Sequence, residues 1–306
     1  MIKNNFGGRV VYRCFQIFGW LPAWWHYAWS FIISLLLQYV VRYRRKVVRE
    51  QLSMVFKDRS NVELKSLERA FYRHLSDLFV ESIMMTSFDV DRFSRHVSIT
   101  NPELIEEAHT EVDSIFFLLG HYGNWEWFTG CQCLLPKTEF NVIYKHQNGI
   151  GHYITSRLRS KFGSLLIDKY NAPRQIIKER NDNVHRTYIF VADQSPAINK
   201  TDLFVHFLGQ ETAVITGMER LAKLRQSAVF YIDTKLRSRG RYELTLIKLA
   251  DNAEHLSQHQ LTYDFMKHLE ANILRQPELW LWSHRRWKVT PQMVYDQFPH
   301  KDIEII

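Results

Sequence analysis

The sequence predicts an α/β fold: a mixed, partly parallel sheet flanked by helices, preceded by an N-terminal membrane-associated helix and a helical N-terminal segment. Three observations carry this. From Cys14 to Val41 the chain has 28 residues without Lys, Arg, Asp or Glu. Residues 43–110 place apolar side chains at three- and four-residue spacing. Beyond them, short runs rich in β-formers alternate with helical stretches, the signature of a sheet with crossover helices.

Within the uncharged stretch, Trp20, Trp24, Trp25, Tyr27, Trp29 and Tyr39 accompany Ile32, Ile33, Leu35, Leu36 and Leu37. A spanning helix needs about 20 apolar residues, so the length permits one. Pro22, His26 and Gln38 interrupt a clean span. The tryptophans suit the headgroup level, which leaves spanning and lying in the interface as equal readings. A buried aromatic helix is disfavoured by the flanking cations. A cleaved signal peptide is disfavoured because no short apolar run ends in a small-residue cleavage site. The following RYRRKVVR favours an anionic, cytoplasm-facing surface. Residues 1–49 are thus expected to anchor a catalytic-sized domain over 50–306.

In the helical segment, ELKSLERAFYRHLSDLFVESIMM aligns Leu64, Leu67, Phe71, Leu75, Leu78 and Ile83. Strands are expected at 114–120, 140–144, 187–193, 227–236 and 242–249. Helices are expected at 152–162, 173–180, 216–225 and 257–275. The turn SRGRY (238–242) predicts an antiparallel pair within the sheet.

Composition sets the bounds. With 306 residues, 46% hydrophobic and 24% charged, the chain is neither disordered nor collagen-like nor a disulfide scaffold. Cys14, Cys131 and Cys133 suit a reducing compartment. The formal charge of +8 (40 − 32) equals the eight cations that precede Glu50: Lys3, Arg9, Arg13, Arg42, Arg44, Arg45, Lys46 and Arg49. The remainder is balanced, so there is no domain-wide nucleic-acid footprint.

The sharpest chemical signal is GHYGNWEW (120–127). On a regular helix His121 and Glu126 would diverge by about 140°. They can meet only if Gly123-Asn124 turns the chain, with Asn124 as a helix N-cap and Glu126 in the first turn. A carboxylate beside an imidazole fixes its tautomer and raises its basicity, as a general base requires. The nearby helix N-terminus would also offer N–H groups to an oxyanion.

GHYGNWEW resembles the H-x4-D/E block of the bacterial lipid A late acyltransferases, the lauroyl/myristoyl acyltransferase family within the lysophospholipid acyltransferase superfamily. VADQSP (191–196), FLGQETAVITGMERLAK (207–223) and PELWLWSHRRWK (277–288) resemble its other blocks in the expected order. The resemblance implies transfer of a fatty acyl group from acyl-carrier protein, or coenzyme A, to a hydroxyl of a lipid A precursor or related membrane glycolipid. It implies His121 as base, Glu126 as its orienting acid, and no metal or organic cofactor. It places such an enzyme at the bacterial inner membrane with its site facing the cytoplasm. Glu126 stands where the wider superfamily has Asp, and YKHQN (144–148) replaces a Tyr-Arg-Pro-like stretch.

Further substrate-binding candidates are Asn124, Arg157 or Arg159, Asp193-Gln194 at the end of a strand, and Arg285 or Arg286. His284, Trp280 and Trp282 read as structural. Arg157/Arg159/Lys161, Arg237/Arg239/Arg241 and Arg285/Arg286/Lys288 could dock an acidic carrier protein. Other acceptors, such as a lysophospholipid or aminolipid, remain open at this stage, as does a non-catalytic, membrane-tethered lipid-binding protein of the same fold. A zinc hydrolase using His121, Glu126, His152 and Cys131/Cys133 lacks any ligand spacing, and a cysteine nucleophile would sit in an apolar helix.

Overall fold

The uncharged N-terminal stretch folds as a broken pair of helices. Pro22 cannot continue a helix and adopts an extended ψ, so α1 (Phe6–Gly19) stops and α2 (Ala23–Leu35) starts anew, running into a π-helical turn at Leu36–Val40. The computed structural model describes residues 5–146, 148–179 and 184–306. Among them no helix is long and apolar enough to cross a membrane, so the expected single N-terminal helix is corrected to this pair. The pair is inverted in character. α2 and its π turn bury His26, Ser30, Ser34 and Gln38, one every fourth residue, whereas Trp24, Trp29, Phe31, Ile32, Leu35 and Leu36 are exposed.

α3 (Arg45–Val55) and α4 (Asn61–Met85) follow, the latter opened by a reciprocal Ser60/Glu63 capping box. α2 packs along α4, where the Tyr27 hydroxyl donates to Glu81 (3.2 Å) and Ser30 to Asp77. After α5 (Val90–Ser94) the chain leaves the expected helical regime for β1 (Val97–Ile99), then α6 (Glu103–Glu111). β2 (Ser114–Leu119), α7 (Trp125–Phe128), β3 (Glu139–Tyr144), α8 (Gly149–Arg159), β4 (Leu165–Asp168), α9 (Ala172–Lys178) and β5 (Arg186–Val191) form the parallel half. β6 (Leu203–Phe207) and β7 (Gln210–Ala213) make a hairpin, with Leu208 and Gly209 both at positive φ. Then come α10 (Gly217–Arg225), β8 (Ala228–Ser238), β9 (Arg241–Ala250), α11 (Gln260–Arg275), α12 (Pro291–Gln297) and β10 (Glu304–Ile305). The expected helix at 173–180 matches α9, its last residue lying outside the described ones, as does residue 147 of YKHQN.

The main sheet has the order β1-β9-β8-β2-β5-β3-β4. β8, β2, β5, β3 and β4 are mutually parallel, and β9 runs antiparallel to β8 through the expected turn. The five strands expected from sequence are all present. β1 and β4 were missed because runs of three and four residues carry too little pattern. The small sheet β10-β6-β7 was not among the expected elements, since its strands of five, four and two residues carry as little pattern. Central strands are buried on both faces: Phe116 and Leu118 of β2 join one apolar cluster with α11, and Ile115, Phe117 and Leu119 join another with Phe93, Trp127 and Phe140. Val48 and Leu52 of α3 belong to the first cluster, so packing is continuous across residue 49.

Candidate active site

Register assembles the site. β2 and β5 pair with Leu119 opposite Val191, and the parallel arrangement brings the residues two steps beyond each, His121 and Asp193, side by side. The His121 imidazole Nδ1 lies 2.5 Å from Asp193 Oδ1, and the His121 N–H donates to Asp193 Oδ2 (2.9 Å). Trp280 Nε1 donates to the same oxygen (2.8 Å). Burial would raise the Asp193 pKa, but the imidazole and these donors hold it down to about 2, so it is an ionised acceptor. Nδ1 therefore carries a hydrogen and Nε2 presents its lone pair. That atom is 3.2 Å from the Gln194 amide nitrogen, and the imidazole is 17% exposed against 3% for Asp193.

Two glycines permit this approach. A Cβ at Gly120 would lie 2.6 Å from Leu269 Cδ1, and Gly123 has φ +61°, with Thr234 filling the space a Cβ would need. The C-terminal signature lies against the same loop: the Leu281 N–H donates to the His121 carbonyl (3.0 Å) and the Gly123 N–H to the Leu279 carbonyl (3.1 Å).

Glu126 does sit in the first turn of α7, as the spacing predicted, but it does not hold the imidazole. Its carboxylate is taken by Arg159, Nε to Oε2 at 2.8 Å and Nη2 to Oε1 at 2.5 Å. Burial raises the Glu126 pKa and the guanidinium overrides it, leaving a net depression. The expectation that Glu126 orients His121 is corrected: the hydrogen-bond partner is Asp193, because strand register outranks nearness in sequence. Asn124 is the N-cap, accepting from the Trp127 N–H (3.0 Å), while its amide donates to Glu81 Oε2 (2.6 Å). It is buried and fully engaged, which corrects its reading as a substrate contact. Only four residues form α7 before a 3₁₀ turn, so it is a poor source of free N–H groups for an oxyanion.

The arginine ambiguities resolve. Arg159 faces the site; Arg157, about 200° around α8, is exposed elsewhere beside Tyr153. Arg285 is exposed. Arg286 is 1% exposed, donates from Nη1 to the Ala213 carbonyl (2.7 Å), and has its backbone N–H held by Gln51 (2.7 Å). Burial lowers its pKa to about 10 against the opposing charge of Asp193. His284, lowered to about 4 mainly by burial, accepts from the Ser195 N–H (3.3 Å) and so steadies the Asp193-Gln194 loop. The expected carrier-docking clusters break up. Arg159 and Lys161 are bonded to Glu126 and the Thr86 carbonyl, Arg237 pairs with Glu243, Arg239 with Asp77, and Arg286 is buried. Burial pushes the Cys131 thiol up, and that of Cys133 to about 11, which disfavours a cysteine nucleophile.

Around His121 opens a cavity of about 680 Å³ at the C-terminal ends of β3 and β5. Val142, Ile143, Ile189, Val191, Met218 and Leu221 form apolar walls, and Lys145, Arg159, Lys169 and Arg220 add cations. A family model for bacterial lipid A biosynthesis acyltransferases matches residues 10–289. The chain belongs to this family. It is therefore an acyltransferase of lipid A biosynthesis, a family that takes a lipid acceptor and an acyl donor. No curated protein matches the chain.

Sequence reasoning missed Trp280 as a donor to the site, Gln51 as the clamp on the C-terminal signature, and Glu81 as the anchor of Asn124. None has a local signal, since each partner is more than 40 residues away.

Proposed function

We propose that the protein moves a fatty acyl group from the thioester of acyl-carrier protein to a hydroxyl of a lipid A precursor or related glycolipid. His121 Nε2 removes the hydroxyl proton as the oxygen attacks the thioester carbonyl. Collapse of the tetrahedral oxyanion expels the thiolate, which takes the proton back from the imidazolium. Asp193 orients the ring and stabilises its charge. Glu126 keeps Arg159 facing the cavity, where the guanidinium offsets negative charge on the reacting group. The observation that carries this reading is the Asp193–His121 pair with Nε2 turned to a half-apolar, cation-rimmed cavity. The inverted polarity of α2 supports a surface lying in the membrane interface, since a helix with its apolar side outward needs an apolar neighbour. The bacterial inner membrane, with the site facing the cytoplasm, fits that arrangement.

The test is acyl transfer by purified protein to a lipid A precursor in detergent, read by product mass, with matched acyl-carrier-protein and acyl-coenzyme A donors. A product one acyl group heavier, lost in His121→Ala, is expected. Equal or better turnover with the coenzyme A thioester would overturn the donor assignment. No product from either donor would overturn the acceptor.

A further inference from the structure

Arg157, set apart from the active site, faces a second cleft. α1 crosses α8 closely because Gly8 lies against Tyr153, where a Cβ would come within 2.8 Å of the ring. Beside this crossing is a cleft of about 130 Å³ lined by Arg9, Tyr12, Arg13, Gln16, Tyr153 and Arg157. Arg9, Tyr12, Arg13 and Gln16 follow the i, i+3, i+4, i+7 pattern of one helix face, and Tyr153 and Arg157 are one turn apart on the facing helix. No carboxylate lines the cleft, and among the described residues no acidic side chain is paired with any of its three arginines. Arg13 bonds Gln16 (3.0 Å), and Arg157 stacks on Tyr153. Three like charges brought together without a counter-ion repel one another, a cost that a bound anion removes. The Tyr12 hydroxyl, buried among them, is kept protonated mainly by that burial, so it can donate.

The neighbouring face of α1 identifies the anion's source. Phe6, Val10 and Ile17 are exposed along a stripe about 60° from Arg9 and Arg13 at ~100° per residue. Guanidinium groups flanking an outward apolar stripe match the phosphate level of a bilayer, where arginine forms paired hydrogen bonds to phosphate oxygens.

We propose that the α1–α8 cleft binds the headgroup phosphate of an anionic membrane lipid through Arg9, Arg13 and Arg157. The size of the cleft suits a phosphate. The proposal rests on the membrane-surface part of the function above, but its main readouts, flotation and phosphate titration, do not use catalysis.

The experiment is flotation of the full chain with phosphatidylcholine vesicles, with and without phosphatidylglycerol. Wild type should bind both and prefer the anionic ones. Arg157→Gln, an exposed and structurally tolerant change, should cut the anionic preference about fivefold, the worth of one cation near such a surface, and leave phosphatidylcholine binding intact. Arg69→Gln, at an exposed arginine of α4, should change it far less. An equal loss in both variants would mean net charge alone is read and would overturn the site. Unchanged preference in Arg157→Gln would overturn it also. Calorimetric titration with inorganic phosphate separates the sources: Arg157-dependent phosphate binding with no Arg157-dependent vesicle preference would overturn the lipid assignment. A higher KM for acyl-carrier protein in Arg157→Gln with unchanged flotation would reassign the cleft to an acidic protein. Absence of binding to any vesicle would overturn the membrane reading itself.

Discussion

At the scale of single residues, the site divides its two acids between two tasks. Asp193 serves the imidazole, and Glu126 serves Arg159. Replacing His121 with Ala should lower transfer by about 10²- to 10⁴-fold, the usual size of a general-base contribution. Asp193→Asn should fall in the same range, and the double variant should be little worse than His121→Ala alone, because the pair acts as a unit. Additive losses in steady-state kinetics would show that Asp193 acts through something other than the ring. Glu126→Gln should behave differently. Its partner Arg159 is linked to it by two hydrogen bonds, so Arg159→Lys, which cannot reproduce the planar fork, should lose most of the activity that Arg159→Gln loses. Arg159→Gln also leaves the Glu126 carboxylate without its cation. The Glu126 pKa is depressed in the folded state, so the stability it contributes is present above its unfolded value and lost as pH falls through the folded one. Thermal melts from neutral to acid pH should show a shallower acid-side decline in Arg159→Gln, starting from a lower neutral-pH stability.

At the scale of elements, α4 links the outward-apolar helix α2 to the loop that carries His121. Glu81 is fully buried and accepts from Asn124 (2.6 Å), Tyr242 (2.9 Å) and Tyr27 (3.2 Å), while its own carbonyl accepts from Trp127 Nε1 (3.1 Å). One residue thus ties α2, α7 and β9 together. Across 162 residues of sequence, Arg239 of the β8–β9 turn pairs with Asp77, one turn earlier on α4 than Glu81. Burial first, and the Asp77 charge next, push the Glu81 pKa up to about 7, against the three donors. A carboxyl with a raised folded-state pKa contributes stability below its unfolded value of about 4.5 and loses it as pH rises through about 7. The wild type should therefore lose stability across that window. Glu81→Gln, which cannot ionise, should flatten the dependence in urea melts at a series of pH values. A wild-type profile that rises over the same window would show that other titrating groups dominate.

At the scale of the whole molecule, an outward apolar surface on α1 and α2 sits on a body whose sheet is covered on both faces. Phe6, Ile17, Trp20, Trp24 and Val40 are each more than two-thirds exposed. The full chain should sediment with membranes and need detergent for release, because salt screens charge but not apolar contact. Release by high salt alone would show that the cations of the N-terminus hold it there. Removing residues 1–41 should not yield a simple soluble domain. The deletion would strip Tyr27 and Ser30 from Glu81 and Asp77 and expose the flank of α4 that α2 covers.

The sequence by itself determined the periodic elements and singled out the histidine that the proposed mechanism uses. Strands such as SIFFLL and TYIFV are continuous apolar runs that only a two-sided parallel sheet can bury, and His121 between two glycines could be singled out without any structure. The three-residue β1 and the break at Pro22 lie at the limit of local pattern. What only the tertiary structure decided is partnership. Asp193 and His121 are 72 residues apart, and nothing in either segment states which strand lies beside which or in what register. Glu126 is near His121 in sequence, but a turn of backbone aims its carboxylate at Arg159, 33 residues on. Local patterns are written by the period of one helix or strand. Side-chain partnerships across the sheet depend on strand order and register, which many distant apolar contacts fix together through close packing.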